Sequence, residues 1–582
     1  MSAAGSKNMF KLLLLILKLV IAFVQRLFED IYIQHWPGLE RPIVQVKQGK
    51  VQGVTSKLPN GTLYHLFKGI PYAKPPIGEL RFCSPVPLER FTTPLLKCLV
   101  DRSQFIQPHE VLGNYWIAGT EDALFLNIYT PQLPVVGTKE YAVMVYIHGG
   151  GLKQGTASSF IYDPRYFVQK GVVVVVMSYR LGPFGFLSIP SVGISGNFGL
   201  KDQRLALRWI QENIESFGGN PKNVTLFGES AGSWSAYLHY LSANSRKYFH
   251  RVICQSGDAC TESVLQVDPT EKARRLARCL GYKGNSDQGA LDILRRTPAR
   301  RLIKYQDAAI SEQEIGLPLQ FLFRPVIELE LNEDTILNQS PELTLKSFDT
   351  IQMPIIQGYT SGEGILTLCL NKNRLWQFDQ HPEWLIPQLI GNPVGLNKTT
   401  VGEGIKQFYC KGKQICWKTS NEISDLFSDL TFLTTSNLSA EWLAKFQPNA
   451  PQYHYLFSYD GRFSIVKRLL NVSQIEGTSH ADDCFYMFSP PFLPALSADS
   501  DEIRVRDTLV ELWTNFAKYS DPTPDTSGLC FKWLPVTKVD PETAEFDLDC
   551  LDINVRPRMV RNPYPERIEF WRKLIKRYTN LI

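Results

Sequence analysis

Five residues, Gly228-Glu229-Ser230-Ala231-Gly232, carry the spacing G-x-S-x-G. They follow the mostly apolar run 224–227 and lead into a sequence able to form a helix. A strand that turns sharply into a helix can hold a serine hydroxyl exposed at its tip. Glycine two residues before and two after removes the Cβ atoms that would collide at such a reversal. The helix then directs free N–H groups, Ala231 among them, toward a site where an oxyanion would form. The same five-residue pattern also occurs in ordinary flexible turns, so its meaning depends on what else the chain supplies.

A serine hydroxyl attacks poorly at neutral pH without a base in hydrogen-bond reach and a third group to hold that base. Among nine histidines, His480 stands out, late in the chain in the polar turn 476–483. His148 precedes Gly149-Gly150-Gly151 and reads better as a residue that orders a glycine loop. Among the carboxylates Glu363 stands out, because the turn 358–364 follows a candidate strand at 354–358 and would deliver it to a sheet edge. The glycines at 149–151 place unhindered N–H groups after a strand. Combined with the Ala231 N–H, these could surround a tetrahedral oxyanion. A phosphate cradle is disfavoured, since no Gly-Lys-Ser/Thr follows.

These residues need a frame. Residues 141–147 and 171–178, the latter with a run of valines, read as strands apolar on both faces, which belong in the middle of a sheet covered on both sides. Residues 41–54 and 62–68 alternate enough for antiparallel strands leading into that sheet, and 69–76 form a proline-stiffened loop. A helix over 201–217 stops at Gly218-Gly219. Further strands fall at 251–254, 354–358 and 453–457, and helices at about 504–518 and 565–578. The pattern predicts an α/β fold with a large central, mostly parallel mixed sheet, helices on both faces and long insertions at 260–350 and 370–450. Without a composition break, 35–582 reads as a single domain behind an N-terminal helix over 1–34.

Composition narrows the partners. The 582-residue chain carries 62 basic and 57 acidic residues, a formal charge of +5. That near balance, with no Arg/aromatic array, argues against nucleic acid. The 11 cysteines include no C-x-x-C pair, so zinc and thioredoxin-like redox chemistry lack support, and their odd number leaves at least one thiol free. The serine chemistry requires no metal or organic cofactor. Sequons at Asn60, Asn223, Asn338, Asn397, Asn437 and Asn471 would be glycan sites in a lumenal protein, with Asn223 poorly placed before the serine strand.

Residues 9–28, MFKLLLLILKLVIAFVQRLF, make a helix roughly 30 Å long. Lys11, Lys18 and Gln25 form a narrow polar stripe beside a broad apolar face. A helix lying in a membrane or lipid surface suits this pattern, with the lysines reaching headgroups; a cleaved secretory signal and a helix packed on the protein itself are the alternatives. The first implies an intracellular, membrane-associated protein at the endoplasmic reticulum or a lipid droplet, the second a secreted one. The oligomeric state leaves no mark in the sequence.

The chain as a whole resembles the type-B carboxylesterase/lipase family, the cholinesterase-like branch of the α/β-hydrolases, and within it the insect intracellular α-esterases. The resemblance runs from about residue 42 to 578. It is carried by FKGIPYAKPP (67–76), EDALFLNIY (121–129), YIHGGG (146–151), YRLGPFGFL (179–187), GNFGLKDQ (196–203) and FGGNP (217–221), running into GESAG. It implies an α/β-hydrolase fold, with Ser230 as nucleophile, Glu363 as acid and His480 as base. The oxyanion donors fall on Gly150, Gly151 and Ala231. The implied activity is hydrolysis of small to medium hydrophobic carboxylic esters by serine acyl transfer. A lipase acting on acylglycerols and a catalytically silent adhesion protein are the alternatives. Where the family commonly pairs a cysteine after Glu-Asp with one near position 98, this chain has Ala123, which leaves Cys98 without that partner. Leu152, Phe198 and Trp234 also depart from the family pattern and would either reshape the pocket or pack into the core. Glu229 differs from the glutamine typical of juvenile hormone esterases.

Overall fold

The computed structural model describes residues 3–581 other than 112–113, 138, 262–263, 348–350, 538 and 540–545, and the side chains of residues 3–12, Lys11 among them, and of 111 and 114 also lie outside the description. Its centre is an 11-stranded sheet. In chain order the strands are β1 (Val54–Lys57), β2 (Leu63–Pro71), β3 (Phe125–Thr130), β4 (Tyr141–Ile147), β5 (Val173–Met177), β6 (Gly219–Glu229), β7 (Arg251–Gln255), β8 (Ile355–Thr360), β9 (Gln452–Phe457), β10 (Asp549–Ile553) and β11 (Arg558–Arg561). Across the sheet they run β1-β2-β3-β5-β4-β6-β7-β8-β9-β10-β11. From β5 to β10 every neighbour is parallel; the margins are antiparallel. This is the mostly parallel mixed sheet that the apolar runs predict.

The valine runs show why these strands are central. Val143, Val145 and Ile147 of β4 point into one core, while Ala142, Met144 and Tyr146 point into another. Each core is roofed by helices. Helix α2 (Phe198–Asn213) and α3 (Ala231–Leu241) cover the first, and α7 (Asp501–Tyr519) places Leu509, Trp513 and Phe516 in the second. Period-2 alternation between two dry faces is what makes both faces of these strands apolar.

The boundaries differ from the sequence reading at several places. Ile43–Val46 and Gly49–Gln52 join Leu95–Lys97 in a separate 3-stranded sheet, so the main sheet begins at β1. The serine strand begins at Gly219, well before 224: Gly219 already pairs with Tyr141 of β4, and a register shift separates that pair from the regular ladder that starts at Val224. The helix expected over 201–217 is α2 followed by a 3-10 turn, Ile214–Phe217. The insertion at 370–450 is largely helical. Helix α4 (Gly364–Leu370) leads into it, and it contains α5 (Ser420–Ser428) and α6 (Thr434–Phe446) joined by a π-helical turn, Asp429–Leu433. Helix α8 (Pro565–Tyr578) closes the chain.

Helix α1 (Ala3–His35) is longer than the apolar segment that predicts it. One side is docked. Arg26 donates to Ser159 Oγ at 2.8 Å and pairs with Asp101 at 3.3 Å and Asp30 at 3.2 Å, and Ala22 and Ile33 are buried. The opposite side leaves Leu13, Leu17, Val20, Val24, Phe28 and Ile31 exposed. No helix among the described residues is long and apolar enough to cross a membrane.

All eleven cysteines are unpaired, with Cys98 buried. The sequon at Asn437 is closed: the side chain is buried and donates to Leu433 O at 2.8 Å. Asn223 Oδ1 accepts from Arg251.

Candidate active site

The site stands at the C-terminal ends of β6, β4 and β8, where side chains leave the sheet. Ser230 follows β6 at φ 58° and ψ −125°, a conformation that costs a non-glycine residue energy. Its flanking glycines are required by contact. A Cβ on Gly228 would lie 2.5 Å from Gly232 C, and one on Gly232 would lie 2.0 Å from Ile147 O. The turn is thus wedged against the end of β4, and Ser230 N donates to Gln255 O at 2.8 Å.

His480 Nε2 lies 2.8 Å from Ser230 Oγ, and its Nδ1 lies 2.5 Å from Glu363 Oε2. Glu363 is fully buried, and its other oxygen accepts from Thr360 N at 2.7 Å, which pins the carboxylate at the end of β8. Two loops are stitched to keep this geometry. Gly362 N donates to Thr478 O at 2.8 Å and Thr478 N to Ser361 Oγ at 2.9 Å. A carboxylate on Nδ1 fixes the tautomer that leaves Nε2 free to accept the serine proton.

The glycine loop faces the serine: a Cβ on Gly149 would meet Ser230 Cβ at 3.0 Å. Gly150 and Gly151 have φ of 108° and 63°. Ala231 is the first residue of α3, so its N–H lacks an intrahelical acceptor. These are the N–H groups suited to an oxyanion. His148 orders the loop, with Nδ1 at 2.9 Å from Gly149 O and its ring stacked 4.5 Å from Tyr179. Burial lowers its pKa to about 4, so it stays neutral.

Two acids here are not among the sequence-predicted site residues, although Glu229 stands out as a departure from the family pattern. Glu229 Oε1 lies 3.1 Å from His480 Nε2, and burial raises the Glu229 pKa to about 8. Asp483, beside the histidine loop, accepts from Gln255 Nε2 at 2.8 Å and is raised to about 6 by burial. Burial acts to lower the His480 pKa, but Glu229, Glu363 and Asp483 outweigh it and raise the value to about 9. With Glu229 protonated its part of that pull disappears, and the neutral imidazole is the form that can take the Ser230 proton. Glu229 occupies a variable position of G-x-S-x-G, so the motif carries no signal for it.

The departures sort themselves by location. Phe198 packs under Arg180, 5.3 Å from the guanidinium, which makes a buried pair with Asp202 at 2.6 Å; it is a core residue. Leu152 is buried at φ 57°. Trp234 is buried behind Ser230 and meets Phe321 edge-on at 6.1 Å, while Phe321 lies against Gly151, where an added Cβ would come within 2.3 Å. Phe321 thus lies between Trp234 and the glycine loop.

Comparison with known proteins agrees with this picture. The carboxylesterase family model matches residues 40–571. Juvenile hormone esterase of Tribolium castaneum is 32% identical, aligned over 91% of this chain and 93% of its own. Esterase B1 of Culex pipiens is 32% identical over 92% and 98%. The crystal structure of juvenile hormone esterase from Manduca sexta, with OTFP covalently attached, superposes with a TM-score of 0.79 at 26% identity, covering 92% of this chain and 100% of that one. A hydrogen-bonded serine, histidine and glutamate at the strand ends of an α/β-hydrolase sheet, in a chain matched so fully by esterases, leave one conclusion: this chain belongs to the carboxylesterase family and is a carboxylic ester hydrolase.

Proposed function

We propose that the hydrolysis runs by two-step serine acyl transfer at Ser230. His480 Nε2 takes the Ser230 proton as Oγ bonds to the ester carbonyl carbon. Glu363 holds the imidazole and offsets the charge it gains. The N–H groups of Gly150, Gly151 and Ala231 receive the oxyanion. Collapse of the tetrahedral species releases the alcohol with the proton from His480, and water repeats the sequence on the acyl-enzyme. The observation that carries the reading is the Ser230–His480–Glu363 chain, with links of 2.8 and 2.5 Å. The same intact chain weighs against a catalytically silent member of the family. The reading is tested by turnover of a short aryl ester by Ser230→Ala: loss of roughly 10⁴-fold or more is expected, and wild-type turnover refutes it.

The substrates are small to medium hydrophobic carboxylic esters, a reading supported by the Phe321 ring against the glycine loop at Gly151. We further infer that α1 lays its free face on a lipid surface, so that the 1–34 helix serves the 35–582 domain as a peripheral anchor at an intracellular membrane or lipid droplet. The exposed apolar side opposite Arg26 supports this, as does the lack of acidic residues before Glu29. The lipid-facing helix is also the feature that favours acylglycerols as a second substrate class; an acyl chain-length series with and without vesicles separates the two.

A further inference from the structure

The geometry points to Phe432 as a positioning residue for His480, held in place by a π-helical turn that braces the acid and the base of the site together. The inference rests on the serine acyl-transfer reading above.

The turn Asp429–Leu433 interrupts one long helical rod between α5 and α6. A π-turn inserts an extra residue and is less favourable than regular helix, so it persists where its displaced side chains are used. Here it directs Phe432, which is buried, onto the imidazole of His480 with ring centroids 4.7 Å apart and planes inclined by 30°. The ring packed at this tilt limits rotation of the imidazole out of the plane that joins Glu363 to Ser230.

The same rod touches the acid. Gly364, directly after Glu363, donates to Ser428 Oγ at 2.8 Å, and a Cβ at Gly364 would lie 2.0 Å from Ser424 O and 2.5 Å from Ser428 N. Only glycine permits that approach. One element thus fixes the backbone beside Glu363 and the face of His480, although these residues are far apart in sequence.

The turn is tied down from below. Asp429 is fully buried and takes Arg567 Nε at 2.7 Å and Nη2 at 2.5 Å, and Arg567 also reaches Asp425 at 2.8 Å. Tyr409 OH donates to Asp429 and in turn accepts from Trp571 Nε1 at 2.7 Å. Arg567 and Trp571 belong to α8, so the closing helix of the chain is coupled to the site through Asp429.

The ring also has an electrostatic part. When His480 takes the serine proton it becomes a cation against an aromatic face in a desolvated site, where such contacts stabilise charge. The charged or titratable groups facing that imidazole are Glu229 from the serine turn, Glu363 after β8 and Asp483 from its own loop. Phe432 is the uncharged ring packed against the same imidazole.

The experiment compares Phe432→Leu, which keeps the site apolar, and Phe432→Tyr, which keeps the ring. An acetyl and a longer acyl ester are assayed from pH 5 to 9, with His480→Ala and thermal melting as controls. Phe432→Leu is expected to lose roughly tenfold in kcat on both esters with KM little changed. The midpoint of its acid limb should fall by about half a unit. Phe432→Tyr should restore both. Where Leu does not fold, Phe432→Met fills a comparable volume without a ring. Loss confined to KM or to the longer ester, with an unchanged pH profile, makes Phe432 a pocket wall and overturns the inference. Activity retained by His480→Ala instead overturns the acyl-transfer reading on which it rests.

Discussion

Glu229 and Ser230 approach the same nitrogen: Nε2 of His480 lies 2.8 Å from Ser230 Oγ and 3.1 Å from Glu229 Oε1. The serine contact is a hydrogen bond; the glutamate oxygen is out of line and has no hydrogen-bond partner among the described residues. The second Glu229 oxygen lies where a Cβ on Gly149 would come within 2.7 Å. The carboxyl is thus held between the glycine loop and the His480 imidazole, where its charge, when present, adds to the pull of Glu363 and Asp483 on that ring.

A pH prediction follows. Ionised Glu229 raises the His480 pKa, so Glu229→Gln, which holds the group uncharged at every pH, removes that pull and lowers it. The rate rises as His480 loses its proton, and the acid limb of kcat/KM should therefore move to lower pH, by roughly one unit. A pH–rate profile on a neutral ester measures it; an unmoved limb, or one at higher pH, contradicts the assignment.

Glu363→Gln removes the charge that orients the imidazole while keeping its shape. A loss of about 10⁴ in kcat is expected, with a melting temperature close to that of the parent. Equal losses in activity and folding would show that Glu363 serves the fold and not the base.

Gly151→Ala meets Phe321 and a φ of 63°. Displacement of one oxyanion donor should lower kcat by roughly 10² to 10³ and leave KM much less affected. Retention of full kcat would remove Gly151 from the oxyanion site.

Helix α1 yields a separable pair of effects. Leu17→Glu with Phe28→Glu alters only the exposed side and should abolish co-sedimentation with anionic vesicles while soluble-ester turnover is unchanged. Arg26→Ala acts on the docked side. It leaves Asp101, 14% exposed at its side chain, without its arginine, and should destabilise the protein by about 2 kcal/mol. Vesicle binding that survives the double glutamate variant contradicts a lipid-facing role.

The fold was legible where apolar runs and glycines constrain the chain locally. The valines of β5 and the wedged glycines around Ser230 each have one physical use, and each stands where the sequence predicts. Glu363 and His480 could be singled out by their turns, but their meeting depends on the stitch between 361–362 and 478–479, which no local pattern encodes. Phe432 was illegible because its role arises from a π-turn between two helices whose apolar spacing looks ordinary. The sequon at Asn437 misled for a similar reason: three residues define a sequon, but burial of the helix that carries it depends on the whole insertion.

The central claim is that ester carbon bonds transiently to Ser230 Oγ. It is tested most directly by mass spectrometry of the protein quenched during turnover of a slowly deacylating ester, or after reaction with an organophosphate. The account predicts a single acyl or phosphoryl mass on the peptide containing Ser230, absent from Ser230→Ala. An adduct on another residue, or full turnover by Ser230→Ala without any adduct, would contradict it.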